Sequence, residues 1–312
     1  MSNTIEDAIT LFAGNPYAVG TEEGGATRWE QGWGSPGQWW RNQLLHHFQG
    51  DTPIGVYPMM KDGNQWGVGW GCIDFDEGEQ ESWEHARNVT IALDQAQHIR
   101  AWPERSRSKG WHVWVFANLK VPAKVMREAL LAACQIVDAP TREINPKQVT
   151  LGEGQLGNYV RLPYPGMRTD DGYHRVVHDT NQNPLTFWEF VPMALNHRVD
   201  ELRLRRMADL YQPPPPPPTL NREATGDWQR KLGPVGYTMV FGTANTEGGP
   251  LDADGDRSAW LWRLMNKIID HGEVTQDQLI QALLYAHDTY MPDKFGERAE
   301  TEISRMVGKA TR

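Results

Sequence analysis

The sequence has 312 residues and a formal net charge of −9 at pH 7, which argues against a generally basic coat without excluding a local basic groove. A chain of this length can form two domains, each with its own core. Two cysteines, Cys72 and Cys134, are too few for a four-ligand zinc site or a disulfide framework. No run of about 18 apolar residues is present, and the N-terminus lacks the features of a signal peptide. We therefore expect a cytoplasmic protein with no membrane partner.

The first two thirds of the chain predict helices mixed with strands. A helix is expected over 4–13 with Thr4 as its N-cap, followed by an irregular segment over 15–35 and a helix from Ser35-Pro36 to Gly50. Strands are predicted at 54–58, 66–76, 111–116 and 158–163, and residues 104–110 are predicted as a polar turn. Further helices are predicted at 82–99, 122–137, 187–195 and 198–211. This order indicates an α+β fold of mixed α/β layers.

Six consecutive prolines at 213–218 mark a domain boundary, because they favour a stiff polyproline II spacer. Beyond them, 222–257 is weakly patterned. Helices are predicted at 258–270, 276–288 and 296–309, the second with a capping box between Thr275 and Gln278. The acidic run 252–256 resembles a calcium loop, but the twelfth position is Arg263 where such loops carry glutamate, so we interpret it as a helix entry.

Two aspartates stand at the end of the strand predicted at 66–76. Strand side chains alternate between faces, so Asp74 and Asp76 lie on the same face with Cα atoms about 7 Å apart. Ile73 and Phe75 then point into the core. Two ionised neighbouring carboxylates require a compensating cation, and oxygen ligands of this kind suit Mg²⁺ or Mn²⁺. Alone, the pair also fits two solvated acids entering a loop.

Two further segments carry polar groups suited to phosphate. Ser108-Lys109-Gly110-Trp111-His112 places a hydroxyl, a cation and a glycine at the start of a strand, with His112 on the face opposite Val113. Glu143 to Gln148 adds a third carboxylate and Lys147, and Arg161 lies on a later strand. Three carboxylates, several cations and a glycine turn suit metal-bound polyphosphate. This interpretation requires Glu143 and His112 on the same side of the sheet as the aspartates.

In this order, the segments resemble the archaeo-eukaryotic primase superfamily, in particular the phage and plasmid primase-polymerases. That family has an acidic D-x-D strand, an S-x-H type element and a third acidic motif, which here resemble Asp74-Phe75-Asp76, Ser108 to His112, and Glu143. The run from Glu143 to Gln148 and then 157–163 is similar to an acid-x-x-P-K-Q then G-N-x-x-x-L-P pattern in the phage-type branch. The resemblance covers about residues 50–165. Many relatives carry aspartate where this chain has Glu143.

The resemblance implies a primase-polymerase catalytic domain at 1–212, a proline linker at 213–221 and a C-terminal all-α domain at 222–312 that helps to hold template or the initiating nucleotide. It implies two divalent cations, Mg²⁺ or Mn²⁺, and catalytic metal ligands Asp74, Asp76 and Glu143. The implied nucleotide-binding residues are Ser108, Lys109, Gly110, His112, Lys147 and Arg161. The implied partners are a single-stranded DNA template and nucleoside triphosphates, in phage or mobile-element DNA replication in a bacterial host cytoplasm.

Several alternatives stay open at this point. A repair-type polymerase that only extends existing ends would share the same acids, and a non-catalytic single-strand or origin-binding protein could keep the fold. A metal-dependent nuclease is a third alternative. The sequence does not distinguish ribonucleotide from deoxyribonucleotide preference, and it leaves open whether a replicative helicase works alongside.

Overall fold

A computed structural model describes residues 2–169, 172–214, 220–221, 225–241 and 257–311. The chain divides into two compact units, residues 1–212 and 213–312. Most of the predicted proline linker and the acidic run 252–256 lie outside the described residues. The functional assignment of each unit stays a prediction.

The strands of the first unit form two antiparallel sheets. Their bounds are β1 Ala18–Gly20, β2 Ala26–Arg28, β3 Gly55–Val56, β4 Met60–Asp62, β5 Gln65–Phe75, β6 Trp102–Arg105, β7 Trp111–Pro122, β8 Ile144–Asn145, β9 Val160–Arg161 and β10 Val176–Val177. One sheet has the order β2-β1-β3-β9. The other has the order β10-β6-β7-β5-β4, and β8 pairs with β5 beside β4. Strands β5 and β7 therefore form the centre of the larger sheet.

Helices cover both faces of this larger sheet. Their bounds are α1 Ser2–Leu11, α2 Pro36–Gln49, α3 Glu79–Gln97, α4 Ala123–Ile136, α5 Phe187–Asn196 and α6 Glu201–Ala208. On one face, Ile73 and Phe75 share a core with buried residues of α3, α4 and α6. On the other, Trp70 and Trp114 share a core with residues of α1, α2 and α5. The alternation predicted for β5 is thus confirmed, and the mixed α/β fold with it.

The described part of the second unit is helical. It contains α7 Gly233–Phe241, α8 Arg257–His271, α9 Gln276–Tyr290 and α10 Ala299–Ala310. Trp260, Leu264, Leu283 and Ile303 are among the residues of its own core. The capping box predicted at the start of α9 is present. Helix α7 was not predicted, because glycine and proline at its start obscure the helical pattern.

Some boundaries differ from prediction. Thr4, predicted as the N-cap, lies inside α1, because the helix begins two residues earlier, at Ser2. Residues 104–105 belong to β6 rather than to a turn. The segment 15–35, predicted as irregular, contains the β1–β2 hairpin, whose strands are only three residues long and carry no clear alternation. Of the described helices, none is long and apolar enough to cross a membrane.

Candidate active site

The register of three neighbouring strands brings three ionisable side chains together. Asp74 on β5 is the direct cross-strand partner of His112 on β7, and His112 is in turn the partner of Glu104 on β6. The His112 Nε2 atom lies 3.6 Å from Asp74 Oδ1, and its Nδ1 atom lies 3.0 Å from Glu104 Oε2. The imidazole therefore bridges two carboxylates on one face of the sheet.

Glu143 joins the same face from the other side of β5. Strand β8 pairs Ile144 with Ile73, and the Asp74 amide donates a 2.8 Å hydrogen bond to the Glu143 carbonyl. Glu143 and Asp74 are therefore cross-strand neighbours, whose side chains share a face. The requirement that His112 and Glu143 lie on the aspartate side of the sheet is met.

These side chains open into one cleft of about 250 Å³. This volume approaches the lower end of small-molecule sites, roughly 300 Å³. Most of the site residues predicted from sequence line the cleft: Asp74, Asp76, Ser108, His112, Glu143, Lys147 and Arg161. Lys109 and Gly110 are not among the lining residues, and Lys109 is exposed. A role for these two in nucleotide binding stays a prediction.

Gly110 packs against protein rather than facing the cleft. A Cβ atom at this position would overlap the carbonyl oxygen of Phe75 and would lie 3.3 Å from Ser106 Oγ and 3.5 Å from Asp76 Oδ1. The Ser106 amide also donates a 3.0 Å hydrogen bond to the Gly110 carbonyl, which closes the turn between β6 and β7. The glycine thus lets this turn approach the end of β5, where Asp76 stands.

We expect Gly110→Ala to lower the free energy of unfolding by roughly 1–3 kcal/mol, because the clash is with backbone that cannot rotate away. Urea denaturation measures this change. Gly37→Ala is the matched control, since nothing lies within 4 Å of a Cβ there, and a helical alanine should stabilise by up to about 1 kcal/mol. Equal effects of the two substitutions would show that the close approach at Gly110 is unimportant.

The electrostatics of the cleft favour charged His112 and charged Asp74. Burial by itself lowers the pKa of His112, but the carboxylates of Glu104 and Asp74 outweigh burial and raise that pKa to about 10. Burial raises the pKa of Asp74, and contact with His112, assisted by Lys147 and Arg161, holds it below its ordinary value. At neutral pH His112 therefore offers its Nε2–H to the cleft as a cationic donor.

Three arginines gather around Glu22, in the loop between β1 and β2. Arg107 lies 2.7 Å from its carboxylate, Arg175 pairs with the same oxygen, and Arg161 Nη2 donates to its backbone carbonyl at 2.9 Å. Burial raises the pKa of Glu22, but Arg175 and Arg107 hold it below its ordinary value. The hairpin loop is therefore tied to the cleft by charge.

Several lining residues were not predicted: Glu104, Ser106, Arg107, Asn145, Asn158, Tyr159, Val160 and Arg175. Glu104 is the most consequential, because its side chain is only 1% exposed and also accepts a 2.5 Å hydrogen bond from Trp114 Nε1. A signal was present, since a hairpin around the 106–110 turn pairs Glu104 with His112. Pro103 obscured it, because proline is disfavoured inside strands.

The donor set of the cleft fits a divalent cation. Asp74 and Asp76 supply carboxylate oxygens, and the Oδ1 atom of Asn145 is buried without a hydrogen-bond partner. Mg²⁺ binds through one or two carboxylates completed by water and substrate phosphates. Glu143 is ion-paired with Lys147, and among the described residues no three His, Cys, Asp or Glu side chains form a metal-binding group. Metal ligation by Glu143 stays a prediction.

A cleft that combines carboxylates with arginine, lysine and histidine has the donors needed to bind polyphosphate together with divalent cations. Residues 38–201 match the family described as "TOTE conflict system, Archaeo-Eukaryotic Primase domain". The chain belongs to this family, which confirms the resemblance seen in the sequence. Membership supports nucleic-acid synthesis of the primase-polymerase type by a nucleotidyltransferase.

Two solved structures are similar to the chain. The polymerase domain of Mycobacterium tuberculosis ligase D in complex with DNA is 15% identical, with 66% of this chain and 87% of that chain covered and a TM-score of 0.31. Primase RepB′ is 13% identical, with 99% of this chain and 93% of that chain covered and a TM-score of 0.27. No curated protein matches the sequence.

Proposed function

We propose that this chain is a DNA-template-directed primase-polymerase that synthesises primers on single-stranded DNA and extends them. The observation that carries this proposal is the Asp74–His112–Glu104 register, with Glu143 beside Asp74 and all four side chains in one cleft. A non-catalytic binding protein has no need for several carboxylates and a charged histidine around one pocket. The phage or mobile-element setting is part of the proposal.

In the proposed reaction, a 3′-hydroxyl gives up its proton to solvent while its oxygen attacks the α-phosphorus of a nucleoside triphosphate. The bond between the α-phosphorus and the bridging oxygen breaks, and pyrophosphate leaves. Bound divalent cations would supply Lewis acidity for the hydroxyl and charge neutralisation for the pyrophosphate. Asp74 and Asp76 would hold them, assisted by Glu143. The rest of this chemistry is positioning of the phosphates by fixed cations.

Each cationic side chain of the cleft would contact a phosphate group in its own way. His112 presents Nε2–H to a phosphate oxygen, while Glu104 holds its other nitrogen and keeps the ring oriented. Lys147, which pairs with Glu143, and Arg161 both line the cleft and can neutralise phosphate charge. Ser108 adds a hydroxyl donor.

The test incubates the full chain with unprimed single-stranded DNA, nucleoside triphosphates and Mn²⁺, and resolves the products on a denaturing gel. We expect new products that lengthen with time and disappear with EDTA. Products only when a primer is supplied would favour the repair-type alternative. Shortened template would indicate a nuclease, and DNA binding without incorporation would indicate a non-catalytic protein.

A further inference from the structure

The smaller sheet presents one face to the core and a different face to a groove. Val19, Val56 and Val160 point into the core that this sheet shares with α1, α2 and α5. Their neighbours point the other way, and the strand register aligns Ala26, Gly20, Gly55 and Arg161 in one row across all four strands. The opposite face is therefore lined by small residues at its centre and by a cation at its edge.

Tyr159 lies flat over the two glycines of this row. A Cβ atom at Gly20 or at Gly55 would overlap the ring of Tyr159, so both positions must lack a side chain for the ring to lie there. The hydroxyl of Tyr159 donates a 3.0 Å hydrogen bond to the Thr21 carbonyl, and the ring packs edge-on against Tyr57 with centroids 5.4 Å apart. The ring is thus held in a fixed position.

The face forms a groove of about 550 Å³ that is continuous with the active-site cleft. Asn158, Tyr159 and Arg161 line both, so the ring of Tyr159 stands at their junction. Arg28 adds a second cation from β2, and none of the described residues lining the groove is acidic. Arg161 Nε is buried there without a hydrogen-bond partner.

We propose that this groove, defined by Arg28, Tyr57, Tyr159 and Arg161, binds a single-stranded polynucleotide where it enters the active-site cleft. This inference rests on the proposed function. Cations that follow a phosphate backbone and aromatic rings that stack with bases are how single strands are bound without sequence preference. A nucleoside triphosphate with its metal ions would require carboxylates, which the cleft has and the groove lacks. A duplex hides its base faces and could not use Tyr159.

The test measures binding of a fluorescein-labelled oligodeoxythymidine of about 16 nucleotides to the full chain by fluorescence anisotropy, without nucleotide and with EDTA. Arg28→Ala should weaken binding about tenfold through loss of one charge-assisted contact, and should reduce the salt dependence by the equivalent of about one phosphate. Tyr159→Leu should weaken it by roughly fivefold or more through lost stacking.

Arg206→Ala is the matched control. Arg206 is an exposed arginine on α6, and α6 packs on the face of the larger sheet that carries Ile73 and Phe75, away from the face that carries Asp74 and His112. Thermal unfolding checks that each variant is folded. If Arg28→Ala and Arg206→Ala bind alike, or if duplex DNA of the same length competes as well as the single strand, the groove assignment is wrong.

The two proposals fail separately. Suppose that the wild-type chain incorporates nucleotides but Arg28→Ala leaves the affinity for the oligonucleotide unchanged. The proposed function then stands, and the assignment of the groove as the polynucleotide-binding site is wrong. Suppose instead that Arg28→Ala weakens oligonucleotide binding but the wild-type chain never incorporates nucleotides. The groove assignment then stands, and the proposed polymerase activity is wrong.

Discussion

Asp74→Asn is expected to lower nucleotide incorporation by roughly 10²–10³-fold, because removing a carboxylate that holds a catalytic cation costs several kcal/mol of transition-state stabilisation. Asparagine keeps the shape of the side chain and removes only its charge. Asp74 is the one predicted metal ligand that lies within the central strand and touches His112. The measurement is the initial rate of primer extension on a single-stranded template with Mn²⁺.

The control for Asp74→Asn is Asp94→Asn, an exposed aspartate on α3 that is remote from the cleft lining. Its rate should match the wild type. Thermal unfolding must show that Asp74→Asn stays folded, because the loss is assigned to chemistry and not to stability. Retention of more than a tenth of wild-type incorporation by folded Asp74→Asn would contradict the assignment of Asp74 as a metal ligand.

The centre of the site could be predicted because strand alternation is a local property. Ile73, Phe75 and Val113 are buried against α3, α4 and α6. Alternation from these residues places Asp74, Asp76 and His112 on the other face of the sheet, the face that also carries Trp70 and Trp114. The side chains of Ile73 and Val113 make the alternative face unfavourable. A local pattern was therefore enough for the aspartates and the histidine.

Ser108, Glu143, Lys147 and Arg161 were predicted from the family resemblance and line the cleft, but the contacts that surround them were not, because these contacts join segments far apart in the chain. Arg161 on the two-residue strand β9 is the cross-strand partner of Gly55 on β3. Glu22, near the start of the sequence, forms an ion pair with Arg175, 153 residues later. Strands this short carry too little alternation to predict, and their register is set by tertiary packing. The position of the Tyr159 ring could not be predicted for the same reason, because nothing in the sequence around Gly20 or Gly55 indicates that a ring packs on them.

Glu104 was missed for a different reason. It precedes a polar turn in the sequence and was assigned to that turn, whereas it lies on β6. We expect Glu104→Gln to lower the free energy of unfolding by about 2–3 kcal/mol near neutral pH, less than the roughly 3–5 kcal/mol for a buried ion left with no counter-charge, because Asp74 remains beside His112. Glutamine can still accept from Trp114, but it leaves the His112 cation with Asp74, 3.6 Å away, as its remaining counter-charge. Urea denaturation in EDTA-containing buffer measures the difference.

The pH dependence of this difference follows from the direction of the His112 pKa shift. The folded-state pKa is raised above its ordinary value of about 6.5, so the stability from charged His112 is complete below that pH. It is lost as pH rises through about 10, where His112 deprotonates in the folded chain. Without the Glu104 charge, the pKa of His112 in the folded chain falls. The difference in free energy of unfolding between wild type and Glu104→Gln should therefore narrow from pH 6 towards pH 10.

Glu128→Gln is the matched control, because Glu128 forms only a 3.8 Å surface pair with Lys124, and its removal should cost less than about 1 kcal/mol at every pH. The double variant Glu104→Gln/His112→Gln should be more stable than the sum of the two single losses implies, since it leaves no buried cation without its partner. A loss for Glu104→Gln that stays constant from pH 6 to pH 10 would show that it arises from packing and not from the charge of His112. In that case Glu104 would not orient a charged imidazole, and His112 would have to reach phosphate as a neutral donor.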